Sequence, residues 1–342
     1  MKSRWALTCG DLNTSRAWLI EQLSLNTIPL HQGCHWALSL GMIEYVESVV
    51  KENYPSLRRS GSAGGIRFRI ARIRGEINPY KILVEDGEKT NWSDHSVIVM
   101  TGGIGDHLED IARINGLARG ALSGRTLMST RSRCNQLRGI SNEIRWVEST
   151  GARERIHVKE LLAYQAVGSP DKAKAFMRVN VGEFDCRYKL LCCWKAEGIG
   201  DKLSSWSRSV DFMSIIDFYH NLINAGINPA GIVDISNWSP WEKSLLEMMS
   251  IKTHDPTRED VGELAKLAAR CEVVCSIDTA LAHLAACMEK KTVLMLPKFH
   301  DERWFGLLKE GSCYHDNCTV FIQRKFGCWK AVLENVIEEI VG

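Results

Sequence analysis

No run of apolar residues in these 342 approaches the roughly 18 needed to cross a bilayer, which excludes a helical membrane span by pattern. The opening MKSRWALTCGDLNTSRAW lacks the continuous apolar core of a secretory signal, and the expectation is a cytoplasmic protein. Charge of either sign is not in excess. A formal net charge of +2 gives no ground for a nucleic-acid partner. The twelve cysteines include no paired C-x-x-C elements, and several sit in apolar runs, such as Cys192 and Cys193 in LLCCW. That placement reads as buried, reduced thiols. Cys271 with Cys275, and the set Cys313, His315 and Cys318, come nearest to metal-ligand spacing, but neither has the two knuckles of a structural zinc site. No metal is expected. The P-loop pattern GK[ST] is absent, and no segment recurs at a fixed period as a repeat array would require.

What is present is an ordinary globular composition, 45% hydrophobic and 25% charged, in a chain long enough for two domains. The organising stretch is CEVVCSIDTALAHLAACMEKKTVLML. It reads as a buried strand (273–277), a sharp turn at Asp278 and Thr279, a small-residue helix (280–288) and a second strand (292–296), the pattern of a β-α-β unit in a parallel sheet. Residues 1–58 carry helical spacing, the SGSAGG run at 60–65 reads as a linker, and IRFRIARIRGEI (66–77) places Arg67, Arg69, Arg72 and Arg74 among isoleucines. Those arginines form either a basic face for an acidic partner or membrane surface, or a solvated face of a packed element. From Ser96 onward, strands expected at 97–100, 126–129 and 143–147 alternate with helices, one of them at 158–167. The pattern restarts at Tyr188, with helices at 209–225, 241–249, 261–269 and 329–341. The reading is an N-terminal helical extension over 1–94 and two doubly wound α/β domains, 95–185 and 186–342, with a cleft between them.

Three places can carry chemistry. Gly102, Gly103 and Gly105 follow the first strand and permit close backbone approach to a ligand, but the third glycine of G-x-G-x-x-G is missing. Asp106 closes that turn at a helix start, where the helix dipole keeps a general base ionised. Asp106 with Glu109 also fits a capping box. At the second place, Asp278-Thr279-Ala280 opens a helix whose backbone N–H groups can hold a diphosphate. There Asp278 or Thr279 also fits an N-cap, and His283 a packing histidine. The third is Lys202, on the loop after the first strand of the second half, where it would neutralise leaving-group phosphate or else lie on the surface.

The order G-x-G-D after a first strand, a later lysine, and V-x-S-x-D-T-A-x-x-H-L-A resembles glycosyltransferase family 9, the ADP-heptose:lipopolysaccharide heptosyltransferases. In PKFHDERW the tail is similar to the branch of that family fused to tetratricopeptide repeats. The resemblance spans about residues 96–342 and is most specific at D-T-A-L-A-H. It implies an α/β GT-B fold, two Rossmann-like domains with an acceptor half and a donor half. Asp106 then matches the acceptor-activating aspartate, Lys202 the lysine on the donor phosphates, and Asp278, Thr279, Ala280 and His283 the nucleotide-sugar loop. Glu242 matches a ribose-binding glutamate. The implied reaction is inverting transfer from a nucleoside-diphosphate sugar, without metal or other cofactor, to a glycan, glycolipid or protein acceptor in cell-surface glycan synthesis. The resemblance also implies work in the cytoplasm at the inner face of the membrane, with peripheral membrane contact. The family carries glycine where this chain has Ala280. Two other functions fit the same residues: an inert GT-B interaction module and a nucleotide-sugar epimerase.

Overall fold

The computed structural model describes residues 11–59, 63–74, 97–100, 104, 105, 108, 126–129, 145–148, 160–162, 187–196, 207–255, 261–300, 304 and 317–342. Four helices come first: α1 (Leu12–Ser24), α2 (Leu30–Ser39), α3 (Ile43–Arg59) and α4 (Ala63–Ile73). Asp11 caps α1 by accepting from the Thr14 amide at 3.1 Å. Helix α2 ends in a Schellman arrangement, the Gly41 amide on Leu38 O at 3.0 Å and the Met42 amide on Ala37 O at 2.9 Å. Gly41 closes it at φ +68°, a left-handed conformation that glycine adopts without a Cβ penalty. The four helices share an apolar core that includes Leu19, Leu38, Val46 and Ile66.

Two readings are corrected in this region. The SGSAGG run is not wholly a linker, because α4 already begins at Ala63. The arginines of 66–77 do not form one solvated basic face either. Arg69 turns inward to donate to His35 O at 2.9 Å and to Ser39 Oγ at 2.7 Å, fastening α4 to α2. Arg74 pairs with Glu47 at 2.8 Å.

The first sheet is four-stranded and parallel, in the order β3-β2-β1-β4. Its strands are β1 (Val97–Met100), β2 (Thr126–Ser129), β3 (Arg145–Glu148) and β4 (Glu160–Leu162). The helix expected over 158–167 is therefore corrected, since Glu160–Leu162 pairs in register with Val97–Val99. A short apolar run such as ELLAY has no period of its own, and the open edge of β1 decides its state.

The second sheet contains β5 (Tyr188–Cys193), β6 (Ile232–Asp234), β7 (Lys252–Thr253), β8 (Cys271–Ile277), β9 (Lys291–Leu296) and β10 (Cys318–Ile322). Around it lie α5 (Phe212–Asn224), α6 (Pro240–Met248), α7 (Val261–Ala269), α8 (Ala280–Cys287) and α9 (Lys330–Val341). All its pairings are parallel and the order is β10-β9-β8-β5-β6-β7. Both faces are buried, which explains its continuous apolar strands. Leu190 and Cys192 of β5 pack with Phe218 and Tyr219 of α5 and Val336 of α9. Leu191 and Cys193 face the other way, toward Ala268, Leu281 and Ala285. Cys192 and Cys275 are register partners on adjacent strands. Burial pushes the Cys193 thiol up to about 12, with the Asp234 carboxyl adding to it, and raises Cys192 and Cys275 as well. Among the described residues no helix is long and apolar enough to cross a membrane.

Candidate functional site

Counted from β5, the second sheet has the order 6-5-4-1-2-3, the doubly wound order in which chain direction across the sheet reverses once. That reversal falls between β5 and β8. Sheets of this order bind ligands there, in the crevice outside the carboxyl ends of the strands where the crossover helices leave toward opposite faces. The residues at those ends are Cys193, Trp194 and Lys195 on one side and Asp278 and Thr279 on the other. In the first sheet the same reversal lies between β1 and β4, and Gly105 follows β1 in helical backbone.

Thr279 is the N-cap of α8 in extended backbone, and no side chain caps the helix. The first-turn N–H groups have no intrahelical acceptor, so they form the positive end of the helix. Thr279 and Ala280 are half-buried, while the rest of α8 is buried. Solvent therefore meets this helix only at its anion-attracting end. The Thr279 hydroxyl lies 2.8 Å from that of Ser276, which donates to Ile277 O.

Asp278 is 5% exposed and holds the turn from beneath. Its Oδ1 accepts from Trp304 Nε1 at 3.0 Å. Arg208 Nη1 donates to its backbone carbonyl at 2.8 Å and lies 3.4 Å from Oδ2. A buried carboxylate needs partners of this kind, because stripping water from a charge is costly without them. His283 is fully buried, with Nε2 3.6 Å from Asp278 Oδ1 and its ring stacked on Trp304 at 4.1 Å between centroids. Asp278 thus anchors the turn rather than capping α8 through its side chain.

Gly105 brings the other half of the chain to this point. A Cβ at Gly105 would stand 3.0 Å from His283 Cδ2 and 3.6 Å from the Ala280 Cα. Gly105, in helical backbone after β1, therefore comes up against the first turn of α8, and a side chain there would press on the His283 ring. Leu108, three residues further on in sequence, is fully buried. Asp106, Gly102, Gly103 and Lys202 lie outside the described residues.

Glu242 sits at the same edge, in the first turn of α6, where it forms a capping box with Ser239. Its Oε2 accepts from the Ser239 amide and hydroxyl, each at 2.7 Å, and lies 3.6 Å from Lys195 Nζ. Burial pushes its carboxyl up, but the Ser239 and Lys195 contacts outweigh burial and hold it below the usual range. Lys195 also lies over the Trp238 ring at 4.2 Å and donates to Asn237 O at 3.2 Å.

Beneath this rim Asp234, fully buried at the end of β6, accepts from Tyr219 Oη at 2.7 Å, Trp238 Nε1 at 3.0 Å and the Ser236 amide at 2.7 Å. Tyr219 Oη in turn accepts from Trp194 Nε1 at 2.7 Å. Burial raises the Asp234 carboxyl, against the lowering effect of its hydrogen bonds. The network fixes the 234–239 turn that delivers Ser239 and Glu242.

Arg208, Lys195 and Asp234 are site residues that the motif reading missed, and Trp304 entered it only as the end of PKFHDERW, without a role at the site. Asp234 carried a signal, an acid inside the apolar run GIVDIS. Arg208 carried none, because a loop arginine reads as surface. Among the described residues, no group of three or more His, Cys, Asp or Glu is arranged to hold a metal.

No protein-family model matches the chain, and no curated protein matches it at a significant level. Among solved structures it is similar to E. coli ADP-heptose LPS heptosyltransferase II, at 10% identity and a TM-score of 0.49, over 72% of this chain and 98% of that one. It is also similar to a family 9 glycosyl transferase of Veillonella parvula, at 11% identity and a TM-score of 0.45, over 74% and 99%. A third is E. coli heptosyltransferase WaaC with ADP, at 11% identity and a TM-score of 0.45, over 71% and 97%. All three scores fall below one half, so the reading of the site stands on its own residues.

Proposed function

We propose that the chain is a glycosyltransferase that moves a sugar from a nucleoside-diphosphate donor to an acceptor hydroxyl. The observation that carries this reading is the close approach of Gly105, which follows β1 of the first sheet, to Ala280 and His283 at the switch point of the second. The first turn of α8 receives the diphosphate through its N–H groups and the Thr279 hydroxyl. Lys202 and Arg208 supply positive charge as the leaving group departs, and Glu242 takes the ribose of the donor.

The residue after Gly105 is Asp106, and an acid there is positioned in sequence to take the proton of the acceptor hydroxyl. The oxygen then attacks the anomeric carbon on the face opposite the leaving diphosphate, and configuration inverts. The bond to the nucleoside diphosphate breaks as the new glycosidic bond forms, so no redox partner is required. A heptose donor with an adenine base is the specific form suggested by the D-T-A-L-A-H block. The acceptor is a cell-surface glycan or its lipid precursor.

Calorimetric titration with ADP, UDP and GDP tests the binding half, with at least one expected to bind. Asp106→Asn tests the chemistry. It should lower transfer by at least about a hundredfold while leaving nucleotide affinity unchanged. Full transfer by the variant removes Asp106 from the mechanism, and absence of binding by all three nucleotides removes the donor.

A further inference from the structure

The sequence presents residues 1–94 as an extension, yet α1–α4 share their core with the second sheet's loops. Phe326, after β10, belongs to the helical core, and Phe299, after β9, packs against it. The two rings stand 5.9 Å apart. Gln323 ties their segments together, its Oε1 accepting from the Lys298 amide at 3.4 Å and the Gly327 amide at 3.1 Å.

The contact is closest at the α2–α3 turn. A Cβ on Gly41 would stand 2.4 Å from Phe299 Cε1 and 2.6 Å from Cδ1, so the backbone of the turn lies directly on the ring. Arg16 of α1 clamps both partners. Its Nε donates to Leu40 O at 2.9 Å, its Nη2 to Gly41 O at 3.3 Å, and its guanidinium lies 5.7 Å from the Phe299 ring centre. Five residues beyond Phe299 is Trp304, whose indole holds Asp278 and stacks on His283.

We infer that the N-terminal helices are part of the donor site: Phe299, seated under Leu40–Gly41 and clamped by Arg16, is a positioning residue that sets how Trp304, five residues on in sequence, holds the Asp278–Thr279 turn. Its effect on nucleotide affinity rests on the function proposed above, whereas its effect on the turn itself does not.

The chain contains its own control. Gly226 also ends a helix at positive φ, +93°, but nothing lies within 4 Å of a Cβ built there. Gly41→Ala and Gly226→Ala therefore share the backbone strain, and only the first drives a methyl into Phe299. Hydrogen–deuterium exchange on the full chain should show residues 279–288 exchanging at least about fivefold faster in Gly41→Ala than in Gly226→Ala. Affinity for the nucleotide that binds wild type should fall in the same order. If Gly41→Ala does not fold, Arg16→Met, which keeps the aliphatic stem and removes the clamp, gives the same comparison. Equal exchange of 279–288 in the Gly226→Ala control and the clamp variants overturns the inference. If wild type binds no nucleoside diphosphate, the proposed function fails while the exchange result still decides the coupling.

Discussion

Replacing Gly105 with alanine tests its close approach to the start of α8, because two effects of opposite sign compete there. Gly105 lies in helical backbone, where alanine is favoured over glycine by about 0.5–1 kcal/mol. Against that, the new methyl would stand 3.0 Å from His283 Cδ2, well inside ordinary carbon–carbon contact. Relief requires the imidazole to move. It is fully buried, stacked on Trp304 at 4.1 Å and set against Asp278 at 3.6 Å, so it has little room. Overpacking of such a site costs about 1–3 kcal/mol. The clash should therefore win, with a net loss of up to about 2 kcal/mol that urea denaturation can read. Because the ring presses on the Asp278–Thr279 turn, nucleotide affinity should fall about three- to tenfold with it. A variant more stable than wild type, with unchanged affinity, would show that helix propensity governs and that the halves do not meet here.

Three further outcomes follow from the same geometry. Asp234→Asn turns an acceptor oxygen into an amide facing donors, and should cost about 2–4 kcal/mol in denaturant titration. The folded protein holds the Asp234 proton more tightly than the unfolded chain does. Its contribution to stability is therefore full below the ordinary carboxylate range and declines as pH rises through the raised value. The variant should lack that decline, and denaturation at stepped pH checks the sign. Trp304→Phe keeps a ring against His283 but removes the 3.0 Å bond to Asp278, for an expected loss of about 1–3 kcal/mol by urea denaturation. Thr279→Val removes a half-buried hydroxyl while Ser276 keeps its bond to Ile277 O, so stability should hold. Nucleotide affinity should weaken about two- to tenfold by calorimetry.

Hydrophobic period made much of the second sheet legible. CEVVCSI, TVLML and the small-residue helix between them fall within one or two residues of β8, β9 and α8. Fully buried parallel strands and their crossover helices write strong local patterns. Where the pattern was short, context decided. Glu160–Leu162 became a strand through pairing with β1, and Lys252–Thr253 is too brief to show a period. The motif reading singled out Gly105 and the turn at Asp278, because glycine and a helix-opening Asp-Thr are local signals. It did not find what holds them. The Arg208 and Trp304 contacts to Asp278 span 70 and 26 residues, and the seating of Gly41 on Phe299 spans more than 250. No window of sequence contains such contacts, because they exist only once the sheets have formed.

The thiols at the centre of the second sheet have a practical consequence. With their protons held far above neutral pH and their side chains fully buried, Cys192 and Cys275 resist alkylating reagents for as long as β5 and β8 stay paired. Each labelling event at these sulfurs therefore records a separation of those strands. The protein carries, without any added probe, a clock for how often the middle of its sheet opens.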